Sequence, residues 1–175
     1  MAKRFIMTAF GKDRPGIVAD VTRILYDNGC NLEDNSMTLL ADEFTLMLLF
    51  SAPADAEETL QMECRRLERE KGISAFMRPL PERLEPADAS GAPVTLHVEG
   101  MDQAGIVYQV SQHLADRGVN IIDLKSTVRA TPESGTALYI MDIETLVPKG
   151  MRSKELEDGL GEVSDALHVD ISLTM

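Results

Sequence analysis

The sequence contains no tryptophan, only two cysteines among its 175 residues, and just 5% aromatic residues. With so few rings, the stacking platforms that hold single-stranded nucleic acids are scarce. Cys30 and Cys64 have no metal-ligand spacing, and their expected state is a pair of reduced thiols. Positive charge is also short: 17 Lys and Arg stand against 29 Asp and Glu, a formal net charge of -12. A protein that grips duplex DNA by itself concentrates Lys and Arg against the phosphates, so direct nucleic-acid binding is disfavoured. The one basic run, Arg65, Arg66, Arg69 and Lys71, is interleaved with Glu63, Glu68 and Glu70 and reads as a solvated helix face. No stretch approaches eighteen consecutive apolar residues, which excludes a helical membrane span. The opening MAKRFIMTAFGKDRPG lacks the long apolar core of a signal peptide and reads as a first strand. What is there, 44% hydrophobic and 26% charged residues, describes an ordinary globular protein, expected in the cytoplasm.

A catalytic or metal constellation is lacking as well. His97, His113 and His168 fall in a strand pattern, a helix and a strand start, and none has a metal-like partner three or four residues on. Cys30 follows Gly29 at a helix C-terminus, where the dipole does not favour a thiolate. No nucleophile, base and metal stand in plausible company, so the expectation is a non-enzyme with no cofactor.

What the sequence has is a repeat. Gly11–Asp34 aligns without gaps to Gly100–Asp123 at an offset of 89, and eleven of twenty-four positions are identical. They include Gly11/Gly100, Asp13/Asp102, Gly16/Gly105, Ile17/Ile106, Gly29/Gly118, Asn31/Asn120 and Asp34/Asp123. The chain is a tandem duplication.

Each copy reads the same way. RFIMTAF and PVTLHVEG are β-prone runs that end in a glycine turn. Ile17, Val18, Val21, Ile24 and Leu25 then recur at helical spacing, as do Ile106, Val107, Val110 and Leu114. Gly29 and Gly118 sit where left-handed helix C-caps belong. Two hairpins follow, turning at Ala41–Glu43 and near Pro132–Gly135, then DAEETLQMECRRLEREKG and SKELEDGLGEVSDAL as second helices, then ISAFMRPL and HVDISLTM as last strands. The order is β-α-β-β-α-β twice, an α+β chain of two ferredoxin-like domains with antiparallel four-stranded sheets and helices on one face. The expected bounds are 1–80 and 93–175, with 81–92, PERLEPADASGA, as linker. A sheet covered on one face leaves its edges open, which favours pairing and a homodimer.

The phrase GKDRPGIV is first a strand-to-helix turn. Gly11 tolerates an unusual backbone angle, Asp13 caps the helix, Pro15 starts it, and Gly16 lets it approach the sheet. The spacing is wrong for a dinucleotide fingerprint. The same turn also presents unpaired amides and a partial positive charge, which suit a carboxylate. Asn31 opens the second strand, expected beside the first, and its amide offers both donor and acceptor. Asp13 and Asn31, or Asp102 and Asn120, then supply acceptors for the ammonium group of a small amino acid.

The β-α-β-β-α-β order, the G-x-D-R-P-G-I-V turn and the later G-x-N-[LI]-x-D resemble the ACT domain, a small regulatory module that binds amino acids. The resemblance covers both halves and is strongest to the glycine cleavage system transcriptional repressor group; similar pairs also end nitrogen-sensing uridylyltransferases. It implies ligand contacts at Gly11, Asp13, Arg14, Pro15, Gly16, Ile17 and Asn31, and in the second copy at Gly100, Asp102, Gly105, Ile106 and Asn120. It also implies a glycine or serine ligand and action through a partner protein such as a transcription factor. The second copy departs from the pattern, with Gln103 and Ala104 where the first has Arg14 and Pro15. A constitutive adaptor and a detached regulatory subunit of a metabolic enzyme are the alternatives.

Overall fold

The computed structural model describes residues 2–81, 91–131 and 135–174. The 81–92 linker lies almost wholly outside the described residues, and so does most of the expected turn near Pro132–Gly135. The chain divides into two compact units, Met1–Glu85 and Pro86–Met175.

The first unit runs β1 (Lys3–Lys12), α1 (Ile17–Asp27), β2 (Asn31–Leu40), β3 (Glu43–Ala52), α2 (Glu57–Lys71) and β4 (Ser74–Pro79). Its sheet is antiparallel in the order β2-β3-β1-β4. Every second residue of β1 (Phe5, Met7, Ala9) and of β3 (Phe44, Leu46, Leu48, Phe50, Ala52) is buried, the period-two pattern of a sheet covered on one face. Onto that face pack Ile17, Val21, Ile24 and Leu25 of α1 and Leu60, Cys64 and Leu67 of α2, one stripe from each helix. The second unit repeats the order: β5 (Ala92–Met101), α3 (Ile106–Asp116), β6 (Asn120–Ala130), β7 (Ala137–Val147), α4 (Ser153–Leu167) and β8 (Val169–Thr174). Its sheet order is β6-β7-β5-β8. The βαββαβ architecture is thus present twice.

Both first helices end alike. Gly29 and Gly118 take φ of 64° and 68°, and the next amides, of Cys30 and Val119, reach back to the carbonyls of Leu25 and Leu114. This six-to-one closure needs a left-handed residue, which glycine supplies without strain. His168, expected at a strand start, is instead the left-handed cap of α4, at φ 52°.

One expectation about the sheet is corrected. β2 does not lie beside β1. It pairs with β3 alone, at the edge, because β3 takes the place next to β1. Both edge strands carry a bulge at the same repeat position, leaving Glu33 and Ile122 unpaired in the ladder. Glu33 uses its freed position to meet Arg4 at 2.8 Å.

Among the described residues no helix is long and apolar enough to cross a membrane.

Candidate functional site

The turn between β1 and α1 is built from two glycines with separate tasks, and the expected tasks are exchanged. Gly16 is the residue with the unusual backbone, φ 85°, while a Cβ there would meet nothing within 4 Å. Gly11 is the residue of close approach: a Cβ on it would sit 3.0 Å from the Gly72 carbonyl oxygen. The second copy agrees, with Gly105 at φ 97° and Gly100 pressed against Val169, whose Cγ1 would lie 2.6 Å from an added Cβ.

No side chain caps either helix. Asp13 is exposed and holds the turn through its backbone, its amide donating to the Asp42 carbonyl at 2.8 Å. The expected Asp13 cap is therefore not formed. Pro15 precedes the helix, which begins at Ile17 after the left-handed Gly16. The Ile17 amide donates to the Arg14 carbonyl at 3.3 Å, and Asp20 stands in the first turn of α1, where a carboxylate answers part of the helix's positive end. Ile17 and Ile106 are buried at 3% and 1% and act as core side chains.

Arg14 is engaged within the unit. Its guanidinium donates to Asp20 at 2.5 Å, and Asp20 also faces Lys71 at the end of α2, at 3.8 Å. The Arg14 hydrogen bond, with a smaller contribution from Lys71, holds the Asp20 carboxyl below its usual range. In the second copy Gln103 donates through Nε2 to the Leu167 carbonyl at the end of α4. The first turn is thus held to its own helix α1 by the Arg14–Asp20 ion pair, with Asp20 in turn facing Lys71 of α2, whereas the second is fastened directly to the last residue of α4 by the Gln103 amide. That is a structural reason for position 14 to differ from position 103.

Asn31 lies elsewhere. It pairs with Ser51, which pairs with Arg4, whereas Gly11 is seven residues further along β1. At ~3.4 Å per residue the two ends are roughly 24 Å apart. Asn31 lines a shallow depression with Ala2, Gly29, Ser51 and Asp55. Asn120 is displaced from Gly100 in the same way, through Leu146 and Pro93. The structure therefore brings Gly11, Asp13, Arg14, Pro15, Gly16 and Ile17 together, likewise Gly100, Asp102, Gly105 and Ile106, and separates Asn31 and Asn120 from them within one unit.

A cluster that spacing alone does not reveal lies on the uncovered face of the second sheet. His97 Nδ1 is 2.7 Å from Asp142 and Nε2 is 3.5 Å from Glu99. The Asp142 hydrogen bond, supported by Glu99, raises the pKa of the ring. The HVE tripeptide places His97 and Glu99 on one face, but the pairing with Asp142 depends on strand register. Because the folded pKa is raised, the stabilisation is present at pH below the ordinary histidine value and is lost as pH rises through the folded pKa. His97→Gln is expected to lower the melting temperature at pH 5.5 and leave it nearly unchanged at pH 9. An equal loss at both would sink the ion-pair account. The cysteines carry no comparable chemistry: both are free, and burial pushes the Cys64 thiol up to about 11. Among the described residues no group of three His, Cys, Asp or Glu could hold a metal ion.

The family model of the ACT domain matches residues 3–78. Over 174 residues, 97% of this chain and 88% of the other, the chain is 25% identical to the glycine cleavage system transcriptional repressor of Escherichia coli. Over 77 residues, 43% of this chain and 86% of the other, it is 34% identical to a UPF0237 protein of Methanopyrus kandleri. The crystal structure of a protein of unknown function from Galdieria sulphuraria superposes with a TM-score of 0.80 at 29% identity, covering 99% of this chain and 98% of that one.

Proposed function

The chain belongs to the ACT-domain family, and from that premise we propose that it is a regulatory protein that senses a small amino acid and acts in the cytoplasm through a partner protein to control genes of amino-acid metabolism. The observation that carries this reading is the match to a transcriptional repressor along nearly the whole chain, in both units rather than one. The strongly acidic charge argues for action through a partner and not on DNA directly. The domains are taken as 1–80 and 93–175.

The ligand is placed at the turn. The N-terminal turn of α1, which no side chain caps, receives the carboxylate, and Asp13 receives the ammonium group. Gly11, Arg14 and Pro15 hold the loop in shape. Gly100, Asp102, Gly105 and Ile106 form the second site, where Gln103 replaces the cation. Asn31 and Asn120 join such a site only from another module. Antiparallel pairing of two β2 edges brings the start of one strand to the end of the other, so a homodimer would supply Asn31 to its partner's turn. Glycine or serine is the ligand that the family resemblance implies.

The test is thermal unfolding of the purified protein against the free amino acids. At ten times its dissociation constant a ligand stabilises by about 1.4 kcal/mol, an upward shift of a few degrees. A rise with glycine or serine and with few others supports the sensor. No rise with any amino acid would overturn it. A second reading is then favoured by the internal bonds of Arg14 and Gln103, which fit a turn that serves as a fastening alone: a constitutive adaptor, or a regulatory subunit that co-purifies with a metabolic enzyme.

A further inference from the structure

The two units fill the same place in their cores differently. In the first, Phe5 and its cross-strand partner Phe50 are wholly buried and stack with ring centroids 5.7 Å apart. The residue at the repeat position of Phe5 is Val94, and its cross-strand partner is Thr145. Thr145 is also wholly buried, but its hydroxyl is spent on the Val94 carbonyl at 2.8 Å. Neither position carries a ring in the second unit, and Val94, though not Thr145, lines a cavity of about 200 Å³. Val147, Met151, Leu156 and Leu173 are apolar residues of its wall, and the exposed Lys149 and Glu157 are the charged residues that line it. It lies at the start of β5, whereas the glycine turn follows the other end of that strand.

We infer that this cavity is a binding site for an α-amino acid with a bulky aliphatic or aromatic side chain. Phe5 of the first unit shows that the fold accepts an aromatic group at the position that Val94 holds in the second. A dry apolar cavity of ~150 Å³ is known to take up a benzene ring, so the space suits a benzyl or isobutyl group and is too small for a nucleotide. The two charged lining residues have opposite signs, and a zwitterionic head answers both: its carboxylate to Lys149, its ammonium group to Glu157. The chemical class rests on the sensing reading above; the place and the preference for a large side chain do not.

The test is methyl NMR of the full chain titrated with L-phenylalanine and L-leucine, with 3-phenylpropionate and 2-phenylethylamine as analogues carrying one charge each. Saturable shifts are expected at the methyls of Val94, Met151, Leu156 and Leu173, with each one-charge analogue at least about tenfold weaker, the equivalent of one lost charge-assisted contact. Val94→Phe restores the residue of the first unit and is expected to abolish binding in a protein that still gives a dispersed spectrum. Lys149→Gln, at an exposed position outside the core, is expected to weaken binding about tenfold or more. No shift at these methyls up to about 10 mM ligand, or unchanged binding by folded Val94→Phe, would overturn the site. Equal binding of the one-charge analogues would overturn the zwitterionic head. In a parallel titration with glycine, shifts of the Ile17 and Val18 methyls without any at Val94 under phenylalanine or leucine would leave the sensing turn standing and remove this site; the converse would do the reverse.

Discussion

Phe5→Ala is expected to destabilise the first unit by about 3–5 kcal/mol, the usual cost of emptying a phenylalanine site in a core. Phe5 is wholly buried, sits on the central strand β1, and stacks on Phe50, so the substitution removes ring contacts from both sides of a cross-strand pair. An aromatic pair adds about 0.5–1.5 kcal/mol beyond the area it buries, which places the loss toward the upper end. Small domains hold only about 5–15 kcal/mol in total, so the first unit should lose much of its margin. The matching change in the second unit, Val94→Ala, removes fewer atoms beside a space that is already open and should cost about 1–2 kcal/mol. Urea titration followed by methyl NMR separates the two, since each core has its own reporters: Met7 and Leu48 in one, Met141 and Ile143 in the other. If Phe5→Ala weakened both sets equally, the division into two separately packed cores would be wrong.

That asymmetry between the units shows where sequence reading stops. The repeat, the alternation of Phe5, Met7 and Ala9, and the helical stripe of Ile17, Val21, Ile24 and Leu25 are local patterns, and they carry the strands, helices and βαββαβ order correctly. Gly29 and Gly118 are legible because a glycine just past an apolar-periodic helix has one common use. Gly11 and Gly16 are not, since a glycine needed for its backbone angle and one needed for its missing Cβ look alike in a sequence. The place of β2 is misread from the sequence because neighbours in the chain need not be neighbours in a sheet, and Asn31 lies at the far end from Gly11 because β2 runs parallel to β1, both being antiparallel to β3. The fastenings Arg14 to Asp20 and Gln103 to Leu167, the His97–Asp142 contact across 45 residues, and the cavity at Val94 all depend on register or helix docking. The turn can therefore be found from the sequence, but not how it is held.

Gly16→Val is expected to cost the first unit about 2–3 kcal/mol, near the top of the range for forcing a non-glycine residue into a left-handed backbone. The space around Gly16 is open, with nothing within 4 Å of an added Cβ, so the penalty comes from φ 85° itself and not from a clash. Gly16→Ala should cost less than the β-branched residue, whereas at Gly11 even alanine must push against the Gly72 carbonyl oxygen at 3.0 Å. To escape the strain, the substituted chain would turn the peptide over, moving the α1 N-terminus and drawing Arg14 from Asp20. Stability and ligand response then report on different things. If Gly16→Val loses stability and the thermal response to glycine or serine together, the turn both shapes the unit and receives the ligand. If stability falls while the response persists, the left-handed turn is only a joint, and the ligand binds elsewhere. If neither changes, the backbone here is free to relax, and the strain argument fails along with the site built on it.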